Sequence, residues 1–181
     1  MKDKLSTLLK DPLFEKLSLS LKRPNIFKIT NAAKYEIRHS NFLAWLMNPK
    51  EGHGLGDIFI KRILRDIFSD DKISWLDEFS IDAIDLSNIS ILREWNNIDI
   101  LIETTKFVIC IENKFLSREH SQQLSRYKKT LEKYFPNKLK GFVFLTSHGY
   151  MPENYQERDC YVSISYYNIM NHLNNILDIF G

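Results

Sequence analysis

The stretch Ile98-Asp99-Ile100-Leu101-Ile102-Glu103, Thr104-Thr105-Lys106, Phe107-Val108-Ile109-Cys110-Ile111-Glu112-Asn113-Lys114 reads as two strands joined by a turn. Its isoleucine, valine and aromatic content suits a packed, pleated surface, and Thr104-Thr105-Lys106 interrupts the apolar run where the chain must reverse. Side chains alternate across a strand, so Glu112 and Lys114 share one face and can converge on one point. Asp99 stands on the strand before, giving Asp-x12-Glu-Asn-Lys across the hairpin. A carboxylate and an ammonium emerging from a run as apolar as 107–111 need partners or a metal, because burying a lone charge is costly.

Working outward, residues 89–95 form a third short run of the same kind just upstream, so three consecutive strands are expected. Before them the period changes to that of helices: 4–21, interrupted by Pro12; 31–47, stopped by Pro49; and 55–68. After the hairpin, Ser117 is a candidate N-cap for a helix to about residue 135, with Leu124, Tyr127, Leu131 and Tyr134 on one stripe. The nearly all-apolar run 141–146 reads as a strand covered on both faces. A short strand over 161–164 and a helix from Ser165 to about residue 180 complete the order. The expectation is an α/β sandwich with a central mixed sheet flanked by helices, one domain over 1–181 with 1–30 as an N-terminal helical extension.

A chain of 181 residues can bury a core without disulfides, and its two cysteines, Cys110 and Cys160, write neither a bridge framework nor a zinc knuckle. No apolar stretch reaches 18 residues and no signal-type segment opens the chain, so a cytoplasmic, non-membrane protein is expected. Charge is unevenly spread. Residues 1–65 carry 13 Lys/Arg against 6 Asp/Glu, 66–112 carry 3 against 11, and 113–140 carry 8 against 2. An acidic stretch between basic ones fits a metal site beside a phosphate-binding surface, though solvated helix faces give the same pattern.

Phosphodiester hydrolysis needs a hard divalent cation, and oxygen ligands suit Mg²⁺. Asp99 and Glu112 are the candidate ligands, and Lys114 the group that orients or deprotonates water or neutralises developing charge. Of the 11 glutamates only Glu112 has lysine at the second position after it. That triplet alone is a weak pattern; its place at a strand end, with an acid on the neighbouring strand, makes it informative.

Further motifs accompany it: Tyr35-Glu36-Ile37-Arg38-His39-Ser40-Asn41-Phe42-Leu43-Ala44-Trp45-Leu46, His53-Gly54-Leu55-Gly56-Asp57, and Arg93-Glu94-Trp95 ahead of Ile98-Asp99-Ile100-Leu101. With these, the chain resembles the PD-(D/E)XK nuclease superfamily, closest to a bacterial and phage group of it. The resemblance implies a restriction-endonuclease-like core of order αβββαβ over about 31–146. Ile98 stands where the naming proline would be. The resemblance also implies Mg²⁺-dependent hydrolysis of DNA, with Mn²⁺ able to substitute, in a setting such as restriction, repair or antiphage defence. In its pattern Asp99, Glu112 and Lys114 are the core set, Asp99 and Glu112 bind metal with the Asn113 carbonyl, and Glu36 completes the metal or water shell. Gln123 and Tyr127 match a Gln-x-x-x-Tyr element in which the glutamine braces the active-site lysine or backbone and the tyrosine approaches substrate phosphate.

Each assignment has a plainer competitor. Asp99, Glu112 and Lys114 also make sense as an ion pair at a sheet edge, Glu36 as a solvated helix residue, and Tyr127 as core. His39, three residues after Glu36, either orients that acid or a phosphate or is structural. His53 and its glycines read as helix-start chemistry, since no phosphate-cradling pattern follows a strand there. Lys128 and Lys129, with Lys133, Lys138 and Lys140, are candidate contacts to nucleic-acid backbone or a solvated face. No base-reading module is recognisable. The alternative to an enzyme is a nucleic-acid-binding or scaffold subunit that keeps the fold. Oligomeric state and partner proteins are not readable from the sequence.

Overall fold

The computed structural model describes residues 11–14, 16, 35–115 and 123–180. The chain divides into two compact units, Met1–Tyr35 and Glu36–Gly181. Most of the expected N-terminal extension, the first residues of the helix expected from 31, and the Ser117 cap lie outside the described residues.

The second unit carries the elements α1 (Glu36–Met47), α2 (Ile58–Phe68), β1 (Ser90–Trp95), β2 (Ile98–Glu103), β3 (Phe107–Lys114), α3 (Gln123–Tyr134), β4 (Leu139–Thr146), the short α4 (Tyr155–Arg158), β5 (Tyr161–Ser165) and α5 (Tyr166–Phe180). Two pieces were not expected: a 3₁₀ helix at Glu78–Ala83, started by the Asp77 carboxylate accepting from Phe79 and Ser80, and α4, started by Asn154 accepting from Gln156. Both are short structures built on Asx caps and give no periodic signal.

The strands form one sheet in the order β1-β2-β3-β4-β5, antiparallel through β3 and parallel from β3 to β5. A mixed sheet of this kind results from the connections. Short turns join β1 to β2 and β2 to β3, whereas α3 carries the chain from β3 to a parallel β4. Asn96 and Asn97 make the first turn with φ of 50° and 65°, the left-handed pair that a two-residue hairpin requires and asparagine tolerates. Gly141 lets β4 lie close to its neighbours: a Cβ there would stand 3.1 Å from Ile73 Cδ1 and 3.2 Å from Ile109 Cγ1.

Alternation sorts the sheet into two apolar faces. Ile100, Ile102, Ile109, Ile111, Val143, Leu145, Val162 and Ile164 pack with α1, α2 and α5. Leu101, Val108, Cys110, Phe144 and Tyr161 pack with Leu124, Tyr127 and Leu131 of α3. Helices on both faces explain why β3 and β4 read as continuous apolar runs. The same alternation sorts the end of β3: Glu112 and Lys114 continue the α3 face, while Asn113 turns to the α1/α5 face.

A candidate metal and nuclease site

The β2–β3 register runs as far as the pair Ile100 and Ile111, and Asp99 and Glu112 are the next residues beyond it on the two strands. Glu112 is fully buried and Asn113 nearly so. The Asn113 main-chain N–H donates to Asp99 Oδ2 at 2.7 Å, and Lys114 Nζ lies 2.7 Å from Glu112 Oε1. Glu112 Oε2 has no donor aligned on it among the described residues.

This corner holds more negative charge than it neutralises. Burial, then the Glu112 charge, pushes Asp99 up to about 7, against the weaker pull of the Asn113 N–H and Lys114. Burial likewise raises Glu112, with Lys114 opposing. Two acids in one dry corner, one with an unused oxygen, fit a divalent cation between them. Among the described residues no three acid, histidine or cysteine side chains gather around one point. Two carboxylates and a main-chain oxygen would suit a cation that retains several waters, as Mg²⁺ does.

Glu36 is the first residue of α1 and is half-buried. Burial raises the Tyr166 hydroxyl above its ordinary value, the Asn113 hydrogen bond opposes this, and the charges of Glu36 and Asp99 add to the rise. Among the described residues, Glu36 does not gather with Asp99 and Glu112 around one point.

The Gln-x-x-x-Tyr pair takes a different place from the one expected. Gln123 Nε2 donates to the Tyr127 hydroxyl at 2.6 Å, not to Lys114, and that hydroxyl in turn donates to the Asn97 carbonyl. Tyr127 is fully buried in the α3 core, which removes it from contact with a substrate phosphate. Burial and the Glu112 charge keep its phenol protonated, so it remains a donor beside that acid. Gln123 and Tyr127 thus brace the β1–β2 turn and the wall behind Glu112.

The lysines divide. Lys128 is committed to Glu157 of α4, 2.8 Å away, whereas Lys129 is exposed. Lys138 bonds Glu103 and the Thr104 carbonyl, both at 2.6 Å, and Lys140 donates to the Lys138 carbonyl. These two stand near Phe107, at the far end of β3 from Lys114, some 23 Å away at about 3.3 Å per residue. They do not line the site. His39 packs edge-on against Phe115 and Tyr166, at centroid distances of 4.7 and 5.9 Å, which is a structural setting. His53 Nε2 lies 2.9 Å from the Asn48 carbonyl and its Nδ1 accepts from Leu55 N, closing the loop before α2.

Sequence reasoning missed Ser40, Tyr166 and the Asn97 carbonyl. Ser40 had a signal, being four residues after Glu36 and so on the same helix face. Tyr166 had none: its hydroxyl reaches Asn113, 53 residues earlier, and nothing local announces that contact.

A mixed sheet with helices on both faces carries an acid, acid, lysine corner at the ends of two adjacent strands. The profile of the PD-(D/E)XK nuclease superfamily matches residues 24–180, and the chain belongs to that superfamily. Nucleases of this superfamily generally use divalent metals and act on nucleic acid. Neither a curated protein nor a solved structure matches the chain. No helix among the described residues is long and apolar enough to cross a membrane.

Proposed function

We propose that this protein is a Mg²⁺-dependent nuclease that hydrolyses phosphodiester bonds of DNA, with Asp99, Glu112 and Lys114 as its catalytic set. The observation that carries the reading is the corner in which the Asn113 N–H holds Asp99 and Lys114 Nζ stands 2.7 Å from the buried Glu112. When bound, the cation supplies Lewis acidity toward a phosphoryl oxygen and lowers the pKa of water. Asp99 and Glu112 hold it with the Asn113 carbonyl, and Glu36 orders the surrounding water. Lys114, beside Glu112, orients the attacking water and offsets charge that develops on the phosphoryl oxygens. Gln123 and Tyr127 hold the wall behind Glu112, and exposed Lys129 contributes salt-sensitive attraction to backbone phosphates.

Supercoiled, linear and single-stranded DNA, and RNA, incubated with the protein in Mg²⁺, Mn²⁺ or EDTA test this. Cleavage of DNA that requires metal is the expected result. Retention of every substrate intact, with binding preserved, supports instead the scaffold reading. In the same assay Glu36→Gln slows cleavage about tenfold and weakens the rise in melting temperature that Mg²⁺ produces, with the fold retained by circular dichroism. An unchanged metal response and rate would remove Glu36 from the site.

A further inference from the structure

The residue between Glu112 and Lys114 is tied more heavily than either. Asn113 is 1% exposed and presents its side chain to the opposite face of the sheet from theirs. Its Nδ2 donates to Ser40 Oγ at 3.0 Å and to the Glu36 carbonyl at 3.4 Å, and its Oδ1 accepts from the Tyr166 hydroxyl at 3.0 Å. Its main-chain N–H is the donor on Asp99. One residue therefore joins β2, the first turns of α1 and the start of α5.

Tyr166 is itself held in place. It follows Ser165, whose Oγ accepts from Asn168 N at 3.1 Å while Asn168 Oδ1 accepts from Ser165 N at 3.3 Å, a reciprocal cap that sets the first turn of α5. Its ring packs edge-on against Phe115, centroids 5.0 Å apart, and His39 lies against both. The hydroxyl has little freedom to point elsewhere.

We propose that Tyr166 is a positioning residue of the active centre, acting through Asn113 so that the C-terminal helix sets the aim of Asp99, Glu112 and Lys114. This rests on the nuclease reading above. The planar amide of Asn113 is clamped from both sides, by Tyr166 at its oxygen and by α1 at its nitrogen, so rotation about this residue is blocked. The peptides on either side carry the N–H that holds Asp99 and the carbonyl that would help hold a cation, and they fix the separation of Glu112 from Lys114. Misplacement of such groups by an ångström is sufficient to cost large factors in rate.

Tyr166→Phe removes one oxygen and leaves the ring packing. Expected are a folded protein, kcat down about tenfold at saturating Mg²⁺ with KM for DNA within about twofold, and Mn²⁺ affinity, read by calorimetric titration without substrate, weakened several-fold. Ser40→Ala, which frees the other side of the same amide, is expected to act in the same direction. In an Asn113→Ala background, Tyr166→Phe costs nothing further, because the residue through which it acts is gone. A lower melting temperature with unchanged kcat and Mn²⁺ affinity in both single variants would overturn the proposal, as would an equal cost in the Asn113→Ala background. Parent protein that neither takes up Mn²⁺ nor cuts DNA defeats the nuclease reading and this inference together. Parent protein that does both, with unaffected variants, defeats the inference alone.

Discussion

Lys114→Met is expected to abolish most cleavage, by roughly 10²–10⁴-fold, and to lower the metal-free melting temperature on the order of 10 °C. Both effects come from one contact. Lys114 Nζ lies 2.7 Å from Glu112 Oε1, and its side chain is only 9% exposed beside a carboxylate at 0%. Removing one partner of a buried pair leaves an uncompensated charge, which costs about 3–5 kcal/mol unless the acid takes up a proton. Mg²⁺ substitutes for the ammonium as a counter-charge but not as a water-orienting donor. The variant should therefore regain most of its melting temperature in Mg²⁺ while its cleavage stays low. A purely structural ion pair gives a different pattern: melting temperature depressed equally with and without metal, and activity that tracks the folded fraction. Thermal scans and initial rates on the same preparations separate the two.

The range of each interaction decides whether it was legible in the sequence. The apolar run 107–111 is local, so the strand, its burial and the shared face of Glu112 and Lys114 were all readable in advance. The hairpin was readable too, because Thr104-Thr105-Lys106 interrupts the run, and with it the placement of Asp99 on the neighbouring strand. Helical spacing put Gln123 and Tyr127 on one face, but spacing does not say how a helix is rotated on the sheet. Tyr127 belongs to the apolar stripe with Leu124 and Leu131, and burying that stripe draws Gln123 onto the tyrosine hydroxyl instead of onto Lys114.

Spacing is equally silent on where the lysines lie. Net charge along 113–140 is a property of sequence, whereas Lys138 is placed by β4, whose start lies beside Phe107 at the end of β3 remote from Lys114. Lys128 was absorbed by Glu157 on a one-turn helix that carries no periodic signal. Tyr166 and Ser40 converge on Asn113 from opposite ends of the chain. Only the folded register of α1, β3 and α5 brings them together.

The same corner carries a second large effect, one in which activity and stability move in opposite directions. Asp99→Asn keeps an oxygen that can accept from the Asn113 N–H but removes the charge. Asp99 is raised to about 7 in the folded protein, by burial first and by Glu112 second, from an ordinary value of 3.8. A group raised in this way stabilises the fold fully only below its unfolded pKa, and that contribution is lost as pH rises through its folded value. Metal-free parent protein should accordingly lose stability between about pH 4 and 7 and level off above, a slope that Asp99→Asn lacks. At about pH 8 without metal the variant should melt above the parent, and toward about pH 4 the two should converge. Mg²⁺ should reverse the order at the higher pH, stabilising the parent and leaving the variant unchanged, because the variant lacks one of the two carboxylates proposed to hold the cation. Cleavage by the variant should fall roughly 10²–10³-fold. A variant that melts below the metal-free parent at the higher pH, yet responds to Mg²⁺ as the parent does, would mean that Asp99 is held by its hydrogen bond alone and that the cation is held elsewhere.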